Sequence, residues 1–214
     1  MTNNSESIHQ WQGLSIVLPA KSQARVDDSI MFGHAAWLWM QSTLHRDWPI
    51  SLLQTNVVPA LKNRQYVIVG NGTHPVLFAA WALMSDEAQE RYLQNPNSLE
   101  NTDWQSGENM WWVDWVAPFG HTQQVAAYLK KHVFSDRTGR SLRVKSGSKV
   151  ARIIDFHGDK VTPLDRDISN KNFANKFNAM NLQAAFKKTN VQETKNKADV
   201  SAPHTSQPHT PLSH

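Results

Sequence analysis

Gln65-Tyr66-Val67-Ile68-Val69-Gly70, then Asn71-Gly72, then Pro75-Val76-Leu77-Phe78-Ala79-Ala80-Trp81-Ala82-Leu83 is the stretch that decides the fold class. The first run is rich in β-branched and aromatic residues, the second is apolar, and Asn-Gly between such runs is a strong short-range hairpin signal. Residues 65–70 and 75–83 are therefore expected to be antiparallel strands. Working outward on the N-terminal side, residues 30–44 predict an amphipathic helix with Met31, Ala35, Leu38 and Ser42 on one side. Trp48-Pro49 breaks it and opens a second, shorter helix over 48–53, because proline suits a first turn. On the C-terminal side, residues 86–93 read as helix and residues 110–116 (MWWVDWV) as an apolar strand that stops at Ala117-Pro118-Phe119-Gly120. Thr122 is expected to cap a helix over 122–132 through its hydroxyl. Further strands are expected at 141–145 and 150–157. The order describes an α+β (α/β) fold, a central mostly antiparallel twisted sheet flanked by helices, and neither a sandwich nor a bundle. No internal repeat of solenoid or propeller length is present.

A chain of 214 residues, 40% hydrophobic and 19% charged, is long enough for one substantial core and short for two domains. Three zones are expected: a polar extension over 1–25, a body over 26–165, and a basic, low-complexity tail over 166–214. The end of that tail, SAPHTSQPHTPLSH, has little to bury and is expected to be disordered. Its Pro-His dipeptides are too loose to read as a metal site. With no cysteine, disulfides, thiolate metal sites and a cysteine nucleophile are excluded. The first ten residues carry no Lys or Arg, so the apolar run over 14–20 lacks the basic flank of an export signal. No stretch approaches the roughly 18 apolar residues of a membrane span. A soluble, cytoplasmic protein is expected. The net charge of +4 and pI near 9.4 are not matched by the glycine-aromatic pattern of an RNA-binding sheet, and no nucleic-acid partner is expected. Phosphate loops, dinucleotide fingerprints, HExxH and GxSxG are all missing.

Two residues stand out. His45, in Leu44-His45-Arg46-Asp47-Trp48-Pro49, falls at the end of the first helix, where a histidine can serve as a dipole-matched cap or as a base. Asp114 lies inside MWWVDWV beside Trp111, Trp112 and Trp115. A carboxylate in so apolar a strand is costly unless paired, and such groups cluster at active sites. The alternative is a structural ion pair with Arg46 or Arg143. Of the nine tryptophans, six flank polar groups in the body (Trp37, Trp39, Trp48, Trp111, Trp112, Trp115). Core packing accounts for most of them, and an apolar groove for a long hydrocarbon is the functional alternative.

Gly33-His34-Ala35-Ala36-Trp37-Leu38-Trp39, Ser42, Leu44-His45-Arg46, Trp48-Pro49, Asn56-Val57-Val58-Pro59-Ala60, Trp104-Gln105-Ser106-Gly107, Asp114-Trp115-Val116-Ala117-Pro118-Phe119-Gly120 and Phe156-His157-Gly158 occur in one order across residues 31–160. This pattern resembles the RTX toxin-activating lysine acyltransferases. The resemblance implies a divergent GCN5-type acetyltransferase fold and transfer of a fatty acyl group from acyl-carrier protein to internal lysines of an RTX protoxin. It implies cytoplasmic action, a homodimer as one possibility, and no resident cofactor or metal, the acyl-carrier thioester being a co-substrate. It also assigns His45 and Asp114 as the catalytic pair and Asn56 as a further active-site residue. Ser42, Trp115 and Arg143 are expected to contact substrate.

The chemistry suits these assignments. A lysine ammonium, pKa about 10.4, must lose a proton before it attacks a thioester, so a base near neutrality is needed, and His45 fits. Asp114 would orient the imidazole, and Asn56 would donate to the developing oxyanion. An acyl-enzyme on His45 or Ser42 and direct transfer both remain open at this level. Lys130, Lys131, Arg140, Arg143 and Lys145 are expected to form a docking face for the acidic carrier protein. The competing expectations are an acetyl-coenzyme A-dependent acetyltransferase of the same fold and a non-enzymatic adaptor for the toxin or carrier.

Overall fold

The computed structural model describes residues 8–21, 26–144 and 151–177. The elements are β1 (Ile8–Trp11), β2 (Leu14–Val17), α1 (Asp28–Gln41), α2 (Ser51–Asn56), α3 (Val58–Lys62), β3 (Tyr66–Gly70), β4 (Pro75–Met84), α4 (Asp86–Gln94), β5 (Asn109–Val116), α5 (Thr122–Tyr128), β6 (Thr138–Val144), β7 (Ala151–His157) and α6 (Pro163–Phe177). The seven strands make one sheet in chain order. Each neighbouring pair is antiparallel except β5 and β6, which run parallel and are registered at only two positions, Trp111 with Arg140 and Trp112 with Ser141. The expected α+β class and mostly antiparallel sheet are thus present. No helix among the described residues is long and apolar enough to cross a membrane.

The hairpin that decides the class forms as its sequence dictates. Asn71 Oδ1 accepts from the backbone N–H groups of Thr73 and His74, and Gly72 takes φ of +88°, a conformation glycine adopts without steric cost. Elsewhere the structure corrects the sequence. Residues 8–17, expected in a polar extension, form the first two strands of the sheet. Gln12 and Gly13 turn between them with φ of +48° and +80°, and β2 then pairs with β3. A four-residue strand shows too little alternation to be read alone. Helix α6 crosses the expected body–tail boundary at 165 and rests Phe173 against Trp111, ring centroids 6.1 Å apart. Thr122 does not cap α5: its hydroxyl accepts from the Trp115 indole at 3.2 Å, and His121 occupies the cap position without a side-chain bond. The helix expected to reach His132 gives way to a π turn over Leu129–Val133. Lys145 and most of the expected tail lie outside the described residues.

The sheet is covered on both faces. On one, Met31, Ala35 and Leu38 of α1, Ala60 and Leu61 of α3 and Tyr92 and Leu93 of α4 pack against Tyr66, Ile68, Phe78, Ala80 and Trp111. On the other, Val125 and Leu129 pack with Ile16, Val67, Leu77, Ala79, Trp81, Trp112 and Phe156. Alternate residues of β3 and β4 thus feed opposite cores, so the near-continuous apolar runs are those of strands buried on both sides.

Candidate active site

Helix α1 begins because Asp27 Oδ1 accepts from the free N–H groups of Ser29 at 2.8 Å and Ile30 at 3.2 Å. It buries Met31, Ala35, Leu38 and Trp39, the spacing of one helical face. It ends at Ser42, which is extended and whose N–H returns to the carbonyls of Leu38 and Trp39. Ser42 O then accepts from His45 N–H and Arg46 N–H, and His45 O from Trp48 N–H. This tight turn folds the chain back under the helix end, leaving His45 only 5% exposed.

Asp114 arrives from the sheet by way of a bulge. Ala80 is opposite Asp114 but Trp81 is opposite Trp112, so Val113 is the extra residue on β5. A bulge shifts the alternation by one and re-aims the side chains beyond it. Val113 and Asp114 therefore both face the α1 side, where Val113 packs into that core and Asp114 is 6% exposed. Trp112 and Trp115 face the other core, edge-on to each other at 5.0 Å.

The two routes converge in one hydrogen-bonded chain. Trp39 Nε1 donates to Asp114 Oδ2 at 2.8 Å. Asp114 Oδ1 lies 3.1 Å from His45 Nε2, and His45 Nδ1 lies 2.7 Å from Ser42 Oγ. A carboxylate only accepts, so the network places a ring proton on Nε2 and makes the Ser42 hydroxyl the donor to the Nδ1 lone pair. Aromatic rings enclose the imidazole, Trp39 at 5.1 Å and Trp48 at 4.6 Å, with Trp48 edge-on to Trp39 at 5.3 Å. Burial first, and the Asp114 charge second, push the Tyr92 phenol well above its ordinary range, so Tyr92 stays neutral beside the site. Leu44, Trp48 and Ile50, in the chain around and just after His45, are exposed.

The structure brings His45, Asp114 and Ser42 together. Asp114 takes a histidine partner and neither expected arginine: Arg46 pairs at the surface with Asp47, and Arg143 is exposed on β6 opposite Arg152. Asn56 is buried at the end of α2, where one amide proton goes to Leu52 O at 3.1 Å. Trp115, the next residue along the strand, faces the opposite core from Asp114. Arg140, expected on a docking face, is buried, bonded to Ser169 and ion-paired with Asp155. Trp39 and Trp48, which the sequence offers only as core or groove tryptophans, are here partners of Asp114 and His45. Trp39 sits three residues before Ser42, one helical turn away, and that spacing was its available signal.

The model of the RTX toxin acyltransferase family matches residues 24–157. The chain is 40% identical over 143 residues to the protein-lysine myristoyltransferase HlyC of Escherichia coli, covering 67% of this chain and 82% of that protein. It is 40% identical over 170 residues to the leukotoxin-activating lysine-acyltransferase LtxC of Aggregatibacter actinomycetemcomitans, covering 79% and 93%. With the RTX-I toxin-activating lysine-acyltransferase ApxIC of Actinobacillus pleuropneumoniae the identity is 38% over 143 residues, covering 67% and 81%. With more than half of the chain matched by the family model and a histidine–aspartate pair buried at the end of its first helix, the chain belongs to the RTX toxin acyltransferase family.

Proposed function

We propose that this chain activates an RTX protoxin in the cytoplasm by moving a fatty acyl group from acyl-carrier protein to internal lysine side chains. The observation that carries the reading is the Trp39–Asp114–His45–Ser42 chain. It supplies an imidazole with one nitrogen against a buried carboxylate and the other against a hydroxyl. His45 is the base that receives the lysine proton, through Nδ1. Asp114 holds the ring and stabilises the imidazolium, and the C-terminal end of α1, three residues away, adds favourable negative potential. Asn56 retains a second amide proton for the thioester oxyanion. The exposed apolar side chains of Leu44, Trp48 and Ile50 suit the alkyl chain of the donor. The exposed cations Lys131, Arg143 and Arg152 suit an acidic carrier protein.

The test is mass spectrometry of a protoxin co-expressed with the chain. Lysine acylation is expected with the wild type and is expected to fall by at least about 100-fold with His45→Ala, the scale of a lost general base, while circular dichroism shows the variant folded. Unchanged acylation by His45→Ala would remove His45 from the chemistry. Transfer from purified acyl-coenzyme A and not from acyl-carrier protein would overturn the donor.

A further inference from the structure

We propose that Ser42 relays the lysine proton to His45 and does not itself carry the acyl chain, an inference that rests on the acyltransferase function proposed for this site. Both ring nitrogens of His45 are engaged, Nε2 by Asp114 Oδ1 at 3.1 Å and Nδ1 by Ser42 Oγ at 2.7 Å. With Nε2 holding its proton toward the carboxylate, Nδ1 is the only basic atom of the ring, and the Ser42 hydroxyl stands in front of it. A proton leaving substrate reaches that lone pair through the hydroxyl. Ser42 can do this because a hydroxyl donates one hydrogen bond while its oxygen accepts others.

The position of Ser42 argues against its acting as the nucleophile. It caps the C-terminus of α1, where unsatisfied carbonyls give a negative potential that disfavours an alkoxide or an oxyanion. Its own N–H, the group that could help hold such an oxyanion, is turned back to Leu38 O and Trp39 O at 3.1 Å each. A relay is free of this penalty, because the hydroxyl loses one proton as it gains another and stays neutral. The positive charge develops on His45, where Asp114 and the same helix end stabilise it.

In the transfer itself, the lysine, its ammonium proton released to solvent, attacks the thioester carbonyl carbon as the neutral amine, forming the C–N bond and a tetrahedral intermediate with charge on oxygen and nitrogen. One N–H proton passes to Ser42 Oγ while the Ser42 proton passes to His45 Nδ1. The carbonyl re-forms, the C–S bond breaks, and the thiolate takes a proton back from His45 by the same hydroxyl. The products are an amide and a free thiol, and both residues return to their starting state.

The relay is tested on purified full-length chain with an acyl-carrier thioester and a lysine-bearing protoxin segment. Ser42→Ala keeps the backbone cap bonds and is expected to lower kcat by about 10- to 100-fold with KM unchanged. Ser42→Thr restores the hydroxyl and is expected to recover most of that loss, and it keeps the test open if the alanine variant folds poorly. The wild-type rate in mixtures of light and heavy water is expected to bow with deuterium fraction, as two protons in flight require. Intact-mass analysis after mixing wild type with thioester alone is expected to show no acyl adduct. An adduct on Ser42, or a wild-type rate in Ser42→Ala, overturns the relay. His45→Ala in the same assay separates the failures: if it is inactive while Ser42→Ala is fully active, only the relay is lost, and if it is active the acyltransferase assignment of His45 falls.

Discussion

His45 and Asp114 meet beneath the end of α1, and Arg140 and Asp155 meet beneath α6. Both pairs include a side chain more than nine-tenths buried, but the first joins a turn to a distant strand while the second faces across the neighbouring strands β6 and β7, and their surroundings differ. Arg140 donates to Ser169 O and Ser169 Oγ, lies 3.4 Å from Asp155 Oδ1, and stacks its guanidinium 4.2 Å over the Phe173 ring. Those partners are scaffold, and an arginine does not release its proton at any physiological pH. The network therefore clamps α6 to the sheet. The His45 chain instead ends at the Ser42 hydroxyl, with the rings of Trp39 and Trp48 around the imidazole. Burial is shared by both; an imidazole whose chain of hydrogen bonds runs out at a hydroxyl belongs only to the His45 pair.

The largest effect expected from testing this contrast is on stability. Arg140→Leu should lower unfolding free energy by about 1–2 kcal/mol, less than the 3–5 of a fully enclosed pair because Asp155, 39% exposed at its side chain, can rehydrate. A urea midpoint reads this, and the folded variant should transfer acyl groups within about twofold of wild type. Loss of transfer without unfolding would break the comparison. Trp39→Phe keeps the ring and removes the indole donor to Asp114, so kcat should fall about tenfold, the equivalent of one lost hydrogen bond to a charged group. A rate equal to wild type would mean that His45 alone fixes the carboxylate. The smallest effect is at His157. Burial, outweighing the neighbouring Asp155 charge and aided by Arg166, Lys130 and Arg140, holds its imidazole below the ordinary range. The unfolded chain then binds that proton more tightly, so the stability linked to His157 is present above pH about 6.5 and is lost as pH falls through the lower folded value. Between pH 7.5 and 5.5 the urea midpoint of wild type should drop more than that of His157→Asn. Equal drops would remove His157 from the pH response.

Much of this was legible in one sequence. The 65–83 hairpin, the α1 stripe and the apolar β5 run arise from local chemistry, since turn residues and apolar period act over a few positions. Asp114 drew attention because its neighbours are tryptophans, and the cost of burying it does implicate a partner. Residue chemistry left that partner open, because histidine and two arginines met the same charge requirement, and the ordered motifs alone pointed to His45. The face of Asp114 was hidden for a related reason: alternation from Trp112 would turn it away from α1, and the bulge at Val113 resets that alternation through pairing with β4. Arg140 reads as surface charge in the sequence, because composition gives no sign of Ser169 and Phe173 closing over it.

Local pattern, the charge balance and the ordered motifs settled the fold class, the family and His45 as the residue to examine. Tertiary structure settled which groups touch it. The bulge turns Asp114 toward α1, the turn after Ser42 brings His45 under the helix end, and β1 and β2 join the sheet. Each depends on contacts between residues up to 75 positions apart, and such contacts leave no period or spacing in the chain from which they could be read.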